Sequence, residues 1–158
     1  MPEIIELDEL DRGVLDVLHT DARATNRQLA RELGVAESTA HARLRRLEER
    51  GVVAGYEAVV RQERLGRGLQ AIIGVTLRPG ARQASITEFA ERVSAQSEVN
   101  QLFFLGGSDD FIIHVAVEDS SALRRFVVDQ LSANAAVAST RTSVVFEYRR
   151  NVSTASFD

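Results

Sequence analysis

The chain has 158 residues, 44% of them hydrophobic and 27% charged, with two prolines and no cysteine. That balance excludes a disordered chain, a disulfide scaffold and thiolate chemistry, and the length allows one or two small domains. No apolar run approaches the ~18 residues that a membrane-spanning helix needs, and the net charge of −4 runs against a nucleic-acid partner for the chain taken as a whole.

The charge is uneven, however. Residues 1–60 carry 8 Arg against 12 Asp and Glu, and residues 61–158 carry 11 against 11. Residues 1–11 hold five acids and no base, while Arg43, Arg45, Arg46 and Arg50 crowd into eight positions. A local basic face binds phosphate even on an acidic chain. The acidic N-terminus lacks the basic start of a signal peptide, so a soluble, cytoplasmic protein is expected.

In chain order, Leu7–Leu18 is predicted as a first helix. Leu7, Leu10, Val14, Leu15 and Leu18 fall at helical spacing, Asp8 suits the N-cap and Asp11 the first turn. Thr25 to Gln28 matches a capping box and opens a second helix to about Leu33. Gly34 suits the left-handed residue that ends it. A third helix starts near Ala36 or Glu37 and runs to Arg50, with Ala40, Leu44 and Leu47 inward and Gly51 as its stop. Val52–Val60 alternates and is β-branched, so a strand is predicted, and residues 61–68 read as a polar linker.

The second half has a different rhythm. Strands are predicted at Leu69–Leu77, Gln101–Leu105, Asp110–Val117 and Val137–Phe146. Helices are predicted at Gln83–Ala95, with Ile86, Phe89, Ala90 and Val93 inward, and at Ser120–Leu131, with Leu123, Phe126, Val127 and Leu131 inward. The order β-α-β-β-α-β is that of a ferredoxin-like, split βαβ domain, so the fold class is α+β. Leu69–Leu77 and Phe111–Val117 are apolar on both parities. Two helices cover one sheet face, so the other is expected to pack on a second subunit. The organisation expected is a helix-turn-helix domain over 1–51, a strand and linker over 52–68, a ferredoxin-like domain over 69–150 and a mobile polar tail over 151–158.

Two helices joined through a short glycine turn are the unit that places its second helix in the major groove. The face of the third helix left over from the core shows Ser38, Thr39, His41, Ala42, Arg45, Arg46 and Glu49, with Arg43 at its flank. Hydroxyls and imidazole can meet base edges, and arginine can meet guanine or phosphate. Helical hairpins with glycine turns are common, so periodicity alone leaves DNA binding and plain packing both open.

Three passages narrow this: "LDELDRGVLDVL", "DARATNRQLARELGVAESTAHARLRRLEERGVVAGY" and "TRTSVVFE". In order and spacing over roughly residues 7 to 148, the chain resembles the Lrp/AsnC, or feast/famine, family of transcription regulators. The resemblance implies a winged-type helix-turn-helix and a C-terminal domain that dimerises and senses small molecules. It implies double-stranded DNA as partner, an amino acid as effector bound between dimers, and dimers assembling further, often into octamers. It places Ser38, Thr39, Arg43 and Arg46 on DNA-facing positions.

Phe104–Ile113, "FLGGSDDFII", spans a turn. Gly-Gly and Ser-Asp are ordinary turn residues. The family pattern here is Gly-Asp-x-Asp. Gly107 matches its glycine and Asp110 its second acid, whereas Ser108 replaces the first, which leaves Asp109 as a substitute or the effector preference altered. Thr140 and Thr142 match effector-lining positions, although threonine also favours strands for its own sake. His19, His41 and His114 are scattered, with no metal-ligand spacing, and no phosphate loop or nucleophile elbow is present. No cofactor is expected, and a regulator is expected over an enzyme. The rival is a tetrapyrrole decarboxylase related to the same family, for which His114 is the candidate histidine.

Overall fold

A computed structural model of the chain describes residues 4–80 and 83–148. They form two compact units, one ending at Val59 and one spanning Val60–Tyr148. The boundary falls inside the segment 52–68. The expected tail over 151–158 lies outside the described residues.

The first unit holds three helices, α1 (Glu9–Thr20), α2 (Asn26–Leu33) and α3 (Glu37–Glu49). Each end has a local cause. Asp8 accepts from the Asp11 amide while the Asp11 side chain accepts from the Asp8 amide, a reciprocal cap that satisfies two otherwise orphaned donors. Thr25 and Gln28 do the same for α2. Gly34, at φ 65°, closes α2, and the Val35 amide returns to the Ala30 carbonyl at 3.0 Å. At the end of α3, Gly51 has φ 70°. Its amide donates to Glu48 and the Val52 amide to Leu47, both at 2.9 Å, a Schellman ending. Val14, Leu29, Ala30, Ala40 and Leu47 are the buried core of this unit, flanked by Leu44, Val52 and Val53.

Val52–Val60, expected as a strand, forms no ladder. Val52 and Val53 are spent closing α3, and residues 54–60 are exposed. A strand needs a neighbour for its amides and carbonyls, and among the described residues of this unit there is none.

The second unit starts with a 3₁₀ turn, Gln62–Leu65. It continues through β1 (Leu69–Leu77), α4 (Gln83–Ser94), β2 (Val99–Phe104), β3 (Phe111–Val117), α5 (Ser120–Arg125) and β4 (Val137–Val145). The sheet order is β2-β3-β1-β4, all neighbours antiparallel, which is the ferredoxin-like arrangement. Ala71, Ile73, Val75, Phe111, Ile113 and Val115 meet Phe89 and Val93 of α4 and Leu123 of α5 in one core. The predicted helix Ser120–Leu131 widens into a π turn over Phe126–Ser132. The wider turn lets Phe126 and Leu131, five residues apart, both reach the core.

Opposed residues of antiparallel strands share a face, so the other face carries Ile72, Gly74, Ile112, His114, Ala116, Phe103 and Arg141. His114 Nε2 lies 2.9 Å from Gln70 Oε1, and the Tyr148 ring is 6.0 Å away. Burial lowers the His114 pKa below its usual value. Among the described residues, no helix is long and apolar enough to cross a membrane.

Candidate functional site

α3 has three flanks. Ala40, Leu44 and Leu47 face the core. Ser38, His41, Ala42, Arg45 and Glu49 recur at steps of three and four and form one exposed stripe. The helix has 13 residues, about 20 Å of length, and suits a major groove about 12 Å wide. Arg45 Nε donates to Glu49 at 2.7 Å between largely exposed side chains. An exposed pair of this spacing contributes only about 0.3–0.5 kcal/mol, so it holds Arg45 weakly. His41 Nδ1 lies 2.9 Å from the Asn26 side-chain nitrogen. With the amide donating, Nδ1 accepts and the outward Nε2 carries the proton.

Thr39, Arg43 and Arg46 occupy the third flank, all half-buried, and the two arginines turn to α1. Arg46 Nη2 donates to Asp11 Oδ2 at 2.5 Å. Arg43 Nη1 donates to Asp8 and lies 3.4 Å from Asp11 Oδ1. The Asp11 side chain is fully buried, 0% exposed. The Asp11 amide, and after it Arg43, holds the Asp8 carboxyl below the usual aspartate range, and the bond to Asp8 raises the Arg43 pKa in turn. The sequence reading missed this network. Its one signal was matched spacing, since two acids three apart open α1 and two arginines three apart sit on α3. Tyr56 was also missed. Its hydroxyl donates to Glu48 at 2.7 Å, and burial followed by that bond pushes the phenol up to about 12.

At the β2–β3 turn, Gly106, Gly107 and Ser108 are exposed and Asp109 and Asp110 half-buried. Asp110 is committed to the fold. Its amide donates to Val75 O at 2.9 Å, and its Oδ2 accepts the Leu77 amide at 2.6 Å, beyond the last β1–β3 pair, Val75 with Phe111. Asp109 Oδ2 accepts from Arg141 Nη2 at 2.6 Å. Its carboxylate lies against Gly74, where an added Cβ would sit 2.9 Å from Oδ2. The glycine thus makes room for the acid. Arg141 is 70% exposed while Asp109 is 14% exposed.

Thr140 and Thr142 pair with Val75 and Ile73 and so share the helix-covered face, opposite to Arg141. Thr140 lies opposite Val75 on β4, whereas Asp110 precedes β3 on the other edge of β1. Asp109 is therefore brought to Arg141, while the two threonines lie on the other side of the sheet.

A glycine-turn helix pair with an exposed polar third helix, followed by a split βαβ sheet, defines a helix-turn-helix DNA-binding protein with an α+β second domain. Comparison with known proteins gives the family. Residues 7–54 match the winged helix-turn-helix DNA-binding model, and residues 70–151 match the Lrp/AsnC ligand binding domain. The HTH-type transcriptional regulator AldR of Mycolicibacterium smegmatis is 45% identical, over 94% of this chain and 86% of that protein. The leucine-responsive regulatory protein of Rhizobium meliloti is 33% identical, over 87% and 88%. A transcriptional regulator from Neisseria meningitidis, solved as a complex with L-Met, superposes with a TM-score of 0.85 at 32% identity, covering 92% of this chain and 93% of that one. The chain belongs to the Lrp/AsnC family of DNA-binding transcriptional regulators. These relatives are named as regulators, so the decarboxylase alternative is not favoured.

Proposed function

We propose that this protein is a cytoplasmic, sequence-specific regulator that reads duplex DNA with the exposed stripe of α3 and answers to an amino acid held at the β2–β3 turn. The exposed stripe carries the reading. Ser38 and His41 supply donors for base edges, and Arg45 supplies the guanidinium for phosphate or guanine. Thr39, Arg43 and Arg46 lie beside that stripe. At the turn, Gly107 and Ser108 offer exposed backbone, Asp109 a carboxylate for an ammonium group and Arg141 a guanidinium for a carboxylate, while Asp110 shapes the turn. Thr140 and Thr142 line the approach from the helix side. The relative solved with L-Met and the relative named for leucine support an amino acid as effector.

The protein acts as a dimer through the helix-free sheet face around Ile72 and Ile112, with dimers assembling further, up to an octamer. Two α3 helices on a two-fold axis then meet two half-sites. An effector bound between dimers favours one assembly over another, and DNA affinity follows the population.

Fluorescence anisotropy on the DNA upstream of the protein's own gene, with and without each of the twenty amino acids, tests both halves. Binding that responds to an amino acid is expected. Replacing Arg45 by Ala is expected to lower the salt slope by about one unit. A chain that ignores all amino acids is an effector-independent regulator, and one that binds no DNA overturns the reading of α3.

A further inference from the structure

We propose that Asp11, backed by Asp8, is a positioning residue for DNA recognition. It holds Arg43 and Arg46 in a clasp between α1 and α3, so that these arginines orient the exposed stripe and do not themselves neutralise phosphates. The proposal rests on the reading of α3 as the DNA-contacting helix.

The clasp is a matched set. Asp8 and Asp11 stand one turn apart at the start of α1, and Arg43 and Arg46 stand one turn apart on α3. The Asp11 carboxylate is fully buried and receives three donors, Arg46 Nη2 at 2.5 Å, Arg43 Nη1 at 3.4 Å and the Asp8 amide at 3.2 Å. A buried carboxylate tolerates its loss of water only while such donors stay in place. Pulling Arg46 out to a phosphate would strip buried Asp11 of its shortest donor and leave it the longer contacts from Arg43 and the Asp8 amide, and DNA would have to supply that cost as well as the contact. Arg45, two-thirds exposed and, among the described residues, bonded to surface Glu49, carries no such penalty.

Orientation is what the clasp adds to apolar packing. Val14, Leu29, Ala30, Ala40 and Leu47 bring the helices together, but apolar contact is non-directional. A guanidinium meets a carboxylate in a fixed, planar geometry. Two such contacts a helical turn apart fix the rotation of α3 about its axis, and with it the outward direction of Ser38, His41 and Arg45. The acids also lie at the N-terminus of α1, where the helix dipole favours negative charge.

The test is the DNA affinity of the full chain across a salt series. Asp8→Asn and Asp11→Asn each remove a negative charge near the DNA-binding face. If the acids acted only through their charge, both changes would tighten binding. The clasp requires the opposite, a loss of roughly tenfold for Asp11→Asn and a smaller loss for Asp8→Asn, each at an unchanged salt slope. Arg43→Lys keeps the charge and loses the planar guanidinium that reaches both acids through Nη1. It is expected to weaken binding at unchanged slope, and Arg43→Ala is expected to leave the slope unchanged too. Arg45→Ala serves as the reference that lowers the slope by about one unit. Amide hydrogen exchange of α2 reports whether each variant keeps the helical unit folded. If Asp11→Asn unfolds it, Asp8→Asn and Arg43→Lys decide, because both alter partly exposed side chains. Binding as tight as or tighter than wild type in Asp8→Asn overturns the clasp, as does a slope lowered by about one unit in Arg43→Ala. A wild-type chain that binds no DNA overturns the reading of α3 and the clasp with it.

Discussion

The two units hold themselves together differently. Among the described residues, five buried side chains make the core of the helical unit and fourteen make that of the sheet unit. The smaller core is accompanied by a buried carboxylate with two arginines. The larger core keeps its ion pair, Asp109 with Arg141, at the rim, where Arg141 stays in water. Three short helices bury little apolar surface, and directional polar contacts between α1 and α3 add to it. A four-stranded sheet with one buried face already has its register set by which residues must face the core and by its turns, so its ion pair at the rim is not needed for that.

The largest effect expected comes from opening the smaller core. Leu29→Ala costs about 2–5 kcal/mol, a large share of the stability of a small domain. Hydrogen exchange in α1–α3 is expected to approach that of the unfolded chain, while β1 and β3 stay protected. Phe89→Ala in the sheet unit costs about 3–5 kcal/mol, with Phe89 and Phe111 ring centroids 5.0 Å apart, yet it leaves many more core contacts. β1 is expected to remain measurably protected. Equal loss of protection in the two variants would break the contrast between the cores.

Next comes the close approach at the sheet rim. In Gly74→Ala the new Cβ meets the Asp109 carboxylate at 2.9 Å. Displacing that acid and Arg141 costs about 1–3 kcal/mol, read as a lower thermal midpoint of the sheet unit. An unchanged midpoint would mean that Asp109 moves aside freely.

The two adjacent acids are expected to separate by role. Asp110→Asn retains an oxygen for the Leu77 amide and is expected to keep both fold and amino-acid binding. Asp109→Asn, which weakens the pair with Arg141, is expected to lose binding in calorimetry. The reverse outcome would return the ammonium contact to Asp110.

The smallest effect is on pH dependence, and it differs between the units. Burial lowers the folded pKa of His114 below the ordinary 6.5. The folded state therefore resists protonation, and its stability, complete above 6.5, falls as pH drops from there through the folded value. Asp8 is also lowered, from 3.8, so its contribution is complete above 3.8 and lost only below it. Between these values acid is expected to weaken the sheet unit through His114, as followed by hydrogen exchange, and His114→Gln is expected to flatten that response. A helical unit that weakened first would invert the assignment.

Most of the secondary structure was legible because its causes are local. The reciprocal caps at Asp8 and Thr25, the glycines at 34 and 51 and the short apolar, β-branched runs of β1 and β3 act over a few residues. The unsupported expectation, a strand over Val52–Val60, failed for the same reason. Its residue types were right, but a strand is a relation between two segments, and no second one faces it among the described residues of that unit. The π turn at Phe126 was hidden likewise, since the demand that Phe126 and Leu131 both reach the core comes from the sheet above them.

The three N-terminal helices, the four strands, their order along the chain and the polar character of α3 are written into the amino-acid order, since each depends on short-range spacing and backbone preference. The tertiary structure alone decided which polar groups are spoken for. Arg43, Arg45 and Arg46 look equivalent in the chain, yet two of them reach acids on α1 and one reaches only Glu49 at the surface. Asp109 and Asp110 are neighbours, yet one meets Arg141 and the other a backbone amide of β1. Partners such as Asp11 and Arg46 stand 35 residues apart. A charge over that separation has no local preference to reveal its partner, and only packing brings the two together.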